Sequence, residues 1–105
     1  GTIHYMTIKK LKSLTKEEFL KYPDATESIY IALQNSKEGW IEIWKEDKSV
    51  HRSGHTDAFG EGISCYMCTM SRWYQTSTIR HINWEEGYFD TLNSRYYFKF
   101  KESHE

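Results

Sequence analysis

Alternation with a period of two runs through much of this chain. Trp40-Ile-Glu-Ile-Trp44 puts Ile41 and Ile43 on one face of a strand and Trp40, Glu42 and Trp44 on the other. Near the end, Tyr96, Phe98 and Phe100 alternate with Tyr97, Lys99 and Lys101, which predicts a final strand of the same two-sided kind. Ile63 to Met70 is apolar and strand-like, Thr76 to Ile82 is dominated by Thr and Ile, and Ile3 to Ile8 reads as a short strand of β-branched and aromatic residues. Ile29, Ile31 and Leu33 alternate with Tyr30 and Ala32, so this segment reads as a strand with two apolar faces. Turns are expected at Asn35–Gly39, Glu46–Lys48 and Trp84–Gly87, the last leading into Tyr88-Phe89, with a bend over Thr91–Ser94.

One stretch departs from this period. Thr15-Lys-Glu-Glu18 has the form of a capping box, with Leu14 before the cap and Phe19 at the fourth helical position as in a hydrophobic staple. Pro23 is expected to stop this helix near Tyr22, after about two turns. Six or seven short strands (about that many turn-bounded apolar runs), one early helix, no internal repeat and no linker predict a single domain over residues 1–105. The expected class is α+β: a mostly antiparallel sheet curled toward a small barrel, with one short N-terminal helix. Residues 51–62 carry three glycines with His51, Arg52, His55, Asp57 and Glu61, and read as a long irregular loop, the place where binding function is expected to reside.

Composition changes this picture in one respect. Hydrophobic residues make up only 38% of the chain while aromatic residues make up 16%, so the core must be built largely from rings. The formal net charge of −1 gives no general attraction to nucleic acid or to anionic membranes. The basic run Lys9, Lys10, Lys12, Lys16 and Lys21 is interleaved with Glu17, Glu18 and Asp24 and reads as a solvated helix face. No apolar run approaches the roughly 20 residues that span a bilayer, and none reads as a signal peptide. In the cytoplasmic setting expected here, the lone Cys-x2-Cys pair favours reduced thiols over a structural disulfide.

The candidate chemistry begins with His51-x3-His55 followed by Cys65-x2-Cys68, a complete two-His, two-Cys set. Zinc takes such ligands in a tetrahedron, and with all four positions filled the ion would be structural. Cys65 and Cys68 lie in a predicted strand, however, and residues three apart on a strand point to opposite faces. The four side chains share an ion only if that strand bends into a knuckle. A thioredoxin-type redox role would need a helix after Cys68, which nothing there predicts. His51, His55, Asp57, His81, Glu85 and Glu86 could supply a general acid and base, and Arg80-His81 is reminiscent of small ribonuclease sites. The aromatic residues point elsewhere: Trp40 and Trp44 share a strand face, Arg72 adjoins Trp73-Tyr74, and Arg95 adjoins Tyr96-Tyr97. Aromatic residues beside arginine suit protein hot spots and stacked nucleobases alike.

Gln75-Thr-Ser-Thr-Ile-Arg-His-Ile82, followed by Gly87-Tyr-Phe-Asp-Thr-Leu-Asn-Ser-Arg-Tyr-Tyr-Phe98, resembles a pattern in many small phage and mobile-element proteins: a "T-S-x-I" strand, then a strand and turn reading "T-x-N-S-x-Y". The resemblance covers about a quarter of the chain and describes adjacent antiparallel strands. It implies a role rather than a site, because such proteins often act as stoichiometric inhibitors of host defence that block a nuclease or sequester a nucleotide signal. The reading that follows is a non-enzymatic, phage-type binding protein in the cytoplasm of an infected host cell. Its partner is expected to be a host or phage protein or a small nucleotide, with no membrane and with homodimer formation. The binding residues expected are Trp40, Trp44, His51, Arg52, His55, Asp57, Arg72 and Trp73. The alternatives are a nucleic-acid or nucleotide-binding module using Arg72, Arg80 and Arg95, and a small ribonuclease-like or metal-dependent enzyme using His51, His55 and His81.

Overall fold

Local sequence signals set the N-terminal third. A computed structural model describes residues 5–22, 25–35, 39–68 and 72–101. Strand β1 (Met6–Thr7) leads directly into helix α1 (Ile8–Ser13), whose first turn is capped by Thr7: its Oγ1 accepts from the Lys10 N–H at 3.1 Å. The predicted strand over Ile3–Ile8 is therefore shorter than expected, and its first two residues lie outside the described residues. Helix α2 (Lys16–Leu20) starts at the expected capping box, with Thr15 Oγ1 accepting from the Glu18 N–H at 3.1 Å and the Glu18 carboxylate accepting from the Thr15 N–H at 2.8 Å. Leu14 and Phe19 both pack into the core, as a staple requires. Pro23, expected to stop this helix, lies outside the described residues.

Helix α3 (Glu27–Asn35) occupies the segment read above as a two-faced strand. Its Leu33 is fully buried, Ile29 and Tyr30 are partly buried against the core, and Ile31 is exposed, which is the one-sided burial of a surface helix. Thr26 sits at its start, where Oγ1 accepts from the Ile29 N–H at 3.2 Å. The Gln34 amide donates to the Lys12 carbonyl at 3.0 Å, and Lys16 pairs with Glu27 at 3.2 Å, so α3 is tied to α1 and α2.

Seven further strands complete the main sheet: β2 (Trp40–Trp44), β3 (His51–His55), β5 (Ser64–Cys68), β6 (Trp73–Thr78), β7 (His81–Asn83), β8 (Tyr88–Asp90) and β9 (Arg95–Phe100). They are antiparallel and run in the order β6-β5-β3-β2-β9-β8-β7. β4 (Ala58–Phe59) pairs with β1 as a separate two-stranded sheet. The architecture is α+β and dominated by antiparallel sheet, as expected, but the sheet is not closed into a barrel. Residues 51–62 are also more ordered than a loop: His51–His55 is a full strand paired along β2, because its backbone groups find partners there despite the polar sequence. The strand expected over Thr76 to Ile82 is two strands, broken at Ile79-Arg80.

The inner face of the sheet carries Ile41, Ile43, Cys65, Met67, Phe89, Tyr96, Phe98 and Phe100, and Ile8, Leu11, Phe19 and Leu33 from the helices join them in one core. Phe59 stands at its centre. Its ring lies 5.0 Å from Phe98 and 5.6 Å from both Phe100 and Trp84, so β4 is pinned onto the sheet by aromatic packing. Gly39 precedes β2 with φ of +71°, and a Cβ there would run into the Thr56 carbonyl oxygen and the Ile8 side chain. Glycine is thus required both by conformation and by close approach.

Candidate binding site on the open sheet face

Among the described residues, all the buried helical side chains belong to the inner core, which leaves the outer face of the sheet to its own residues. The alternation predicted for β2 and β9 holds. Opposite Ile41 and Ile43, the outer face receives Trp40, Glu42 and Trp44 from β2, His51, Ser53 and His55 from β3, and Tyr97 and Lys99 from β9. Cross-strand register then brings residues far apart in sequence side by side. Trp40 stands opposite His55, with ring centroids 5.8 Å apart, and its indole N–H donates to Ser53 Oγ at 2.9 Å. Trp44 stands opposite His51 on one side and Tyr97 on the other. The Tyr97 ring lies near-parallel to the indole, 20° off at 6.1 Å, while His51 meets it edge-on at 6.4 Å.

Glu42 is the polar centre of this face. Its side chain is only 15% exposed, it accepts a hydrogen bond from His51 Nε2, and the ammonium groups of Lys99 and Lys101 lie 3.7 and 3.9 Å from its carboxylate. Burial pushes the carboxyl pKa up, but the His51 hydrogen bond and the charges of Lys101 and Lys99 outweigh it and hold Glu42 below its ordinary value. The carboxylate is therefore a fixed anion that can only accept hydrogen bonds.

Beside it opens a hollow of about 420 Å³ lined by Glu42, Trp44, Lys45, Lys48, Val50, His51 and Lys99. The β2–β3 hairpin builds its rim. The Lys48 N–H donates to the Lys45 carbonyl at 3.0 Å, the Lys45 N–H donates to the Val50 carbonyl at 3.0 Å, and Lys48 takes a left-handed φ of 65°. That conformation is strained for a residue with a Cβ, and glycine is the usual choice at this place in a hairpin. The two acids of the same turn are engaged locally. Glu46 accepts from the Tyr97 hydroxyl at 3.0 Å, and Asp47 accepts from both the N–H and the hydroxyl of Ser49.

The face extends outward on both sides. Toward one edge, Arg95 makes a two-pronged pair with Asp90 at 2.7 and 3.1 Å and lies 3.9 Å from the Tyr88 ring centroid. Toward the other, Tyr66 and Trp73 stack at 5.4 Å and 25°, with Trp73 61% exposed. The β6 edge carries a bulge, since Thr76 and Ser77 stand opposite the single residue Cys65, whose N–H donates to Thr76 Oγ1 at 3.0 Å.

The residues singled out from the sequence divide accordingly. Trp44 and His51 meet at the hollow, and Trp40 and His55 lie next to it on the same face. Arg52 is on the opposite face from His51, with its guanidinium 5.0 Å from the Tyr74 ring centroid. Asp57 lines a separate hollow against α1 with Thr7, Lys9 and Lys12. Trp73 and its neighbour Arg72 lie at the β6 edge. The four candidate zinc ligands are split by the sheet: Cys65 is buried in the inner core, where burial pushes its thiol up to about 12, while Cys68 is on the outer face opposite His55. Among the described residues, no three His, Cys, Asp or Glu side chains are disposed to hold a metal ion. His81 approaches Glu61 at 4.0 Å, away from His51 and His55. Glu42, Lys45, Lys48 and Lys99 also line the hollow, and no motif marks them as binding residues in the sequence. Glu42 and Lys99 could have been found, because their strands' alternation already put them on the faces of Trp44 and Tyr97. Comparison with protein-family models, with curated proteins and with solved structures gives no significant match.

Proposed function

We propose that this chain is a non-enzymatic binding protein that captures its ligand stoichiometrically on the open face of the sheet. The observation that carries the reading is the face itself: aromatic rings and charged side chains from β2, β3 and β9 converge on a hollow whose rim is a hairpin held in a strained conformation. Strain and half-buried charge away from the core serve recognition better than they serve stability. In the phage-type setting implied by the C-terminal pattern, such capture would lower the free concentration of a host factor or signal without turning it over.

Native mass spectrometry of protein purified from its host background tests this. The expected spectrum shows one ligand retained per binding face, lost in Trp44→Ala and kept in Lys16→Ala, a substitution on the helical side of the molecule. The same spectra read subunit number, and so test the expected homodimer. Conversion of the ligand by sub-stoichiometric protein would sink the reading and move the His51–Glu42 pair into an acid–base role. Retention of the ligand by Trp44→Ala would place the binding surface elsewhere.

A further inference from the structure

Resting on the open face as the binding surface, we infer that the hollow at the β2–β3 hairpin takes a nucleoside phosphate, with the ring against Trp44 and the phosphate between Lys48 and Lys99.

Charge selects the ligand first. The ammonium groups of Lys99 and Lys101 flank a single carboxylate, Glu42, and Lys48 lines the same hollow, whereas the Lys45 ammonium is turned away over the Tyr96 ring, 5.3 Å from its centroid. That carboxylate, Glu42, is already engaged by His51, Lys99 and Lys101. The turn's own acids keep their charge but do not line the hollow, Glu46 accepting from the Tyr97 hydroxyl and Asp47 from Ser49. A ligand that fits must bring negative charge of its own, and lysines on both the hairpin and β9 suit an anion with several oxygens.

Shape and surface select next. Trp44 lines the hollow and is backed by the near-parallel Tyr97 ring, so its position is fixed before any ligand arrives. A pre-set indole favours a planar ring, and stacking on it costs little further ordering. Val50 adds an apolar wall. Glu42, held as an anion, accepts from hydroxyl or amino donors such as those of a ribose or a base. A planar ring, hydrogen-bond donors and a multi-oxygen anion within one small molecule describe a nucleotide. The volume of about 420 Å³ suits a small ligand. The net charge of −1 gives no attraction to a long polyanion.

The strained residue fits this assignment. Lys48 adopts φ of 65° where glycine would sit without strain, and it lines the hollow. A lysine retained there at conformational cost is explained by what its ammonium binds.

Isothermal titration of the full chain with AMP, GMP, adenosine and inorganic phosphate tests the assignment. A nucleotide is expected to bind one-to-one, with adenosine and phosphate each weaker by at least about tenfold, the loss of one charge-assisted anchor or one stacked ring. Lys99→Ala is expected to weaken the nucleotide by about tenfold on the same grounds. Because the Lys99 side chain is 61% exposed, this variant keeps its fold, which its circular dichroism checks. Trp44→Ala is expected to lose about tenfold or more. Adenosine binding as tightly as AMP, or Lys99→Ala binding AMP at full strength, would overturn the assignment. If no nucleotide binds but native mass spectrometry finds another ligand on the face, the assignment fails and the binding-protein reading stands. If the face retains nothing at all, both fail.

Discussion

Phe98 and Lys99 are neighbours in one strand and belong to two different surfaces. Phe98 is 3% exposed and packs against Phe59, Trp84 and Phe89, while Lys99 stands in the open beside Glu42. The same holds for Ile43 and Trp44 in β2. Because a strand sends successive side chains to opposite faces, each of these elements serves the fold with one set of residues and the candidate site with the next. The two faces also use rings differently. Inside, Phe and Trp pack mostly edge-to-face in a continuous cluster, with Phe98 tilted against Phe59 and Phe89. Outside, Trp44, Tyr97, Tyr88 and Tyr66 carry polar tips or stand next to charges, and each is paired with a neighbouring ring or cation. Binding and stability should therefore be separable by residue parity.

The most direct way to break that division is to truncate one neighbour at a time. Phe98→Ala should destabilise by about 3–5 kcal/mol, since it empties the centre of the aromatic core, whereas Lys99→Ala should stay within about 0.5 kcal/mol. Denaturant unfolding of both variants measures the difference, and comparable losses would end the two-face reading. Gly39→Ala is the next largest. A Cβ there meets the Thr56 carbonyl and Ile8 in a left-handed conformation, so a loss of about 1–3 kcal/mol in the same assay is expected.

Acidity probes the outer face alone. The Glu42 carboxyl has a folded pKa below its unfolded one, so between the two values the unfolded chain binds the extra proton and folding weakens as pH falls. Its contribution is complete above the usual carboxylate range and disappears as pH drops through the lowered value. Thermal melts of wild type and Glu42→Gln should therefore differ at neutral pH and converge in acid, and a constant gap across that window would show that the carboxylate's charge is not what Glu42 contributes. The smallest effect belongs to Lys48→Gly. Relief of about 1 kcal/mol of left-handed strain is largely offset by the added freedom of the unfolded chain. The melting temperature should rise slightly or stay level while nucleotide affinity drops. A drop in both would mean that the Lys48 side chain, and not only its backbone, supports the hairpin.

Much of this organisation was legible in advance where the signal was local. The Thr15–Glu18 box needs only four residues in the right order, and it starts α2 as expected. The faces of β2 and β9 follow from parity, and so does the separation of Cys65 from Cys68. Alternation alone assigns Ile29–Leu33 to a strand, because Ile and Tyr follow one another there in a way a strand also permits, yet the segment is helical. The helix prevails because it buries Leu33 fully and Ile29 and Tyr30 partly on one side, a tertiary gain that outweighs the modest β preference of the branched residues. The cap at Thr26 was the local clue to it. His51–His55 differs from its sequence expectation for the opposite reason: its glycine and polar residues show no strand pattern, and only pairing along β2 makes it one.

The sequence by itself determined the class of fold, the ring-built core, the helix start at Thr15 and which side chains share a face within each strand, because each of these depends on spacing along the chain. Tertiary structure alone decided which strands are neighbours and in what register. That choice set Glu42 between His51 and Lys99, backed Trp44 with Tyr97, and placed Lys48 and Lys99 on the same hollow. It separated Arg52, Asp57 and Trp73 from that hollow just as firmly. Periodicity says which way a side chain points, whereas the pairing of strands distant in sequence says what it meets when it gets there.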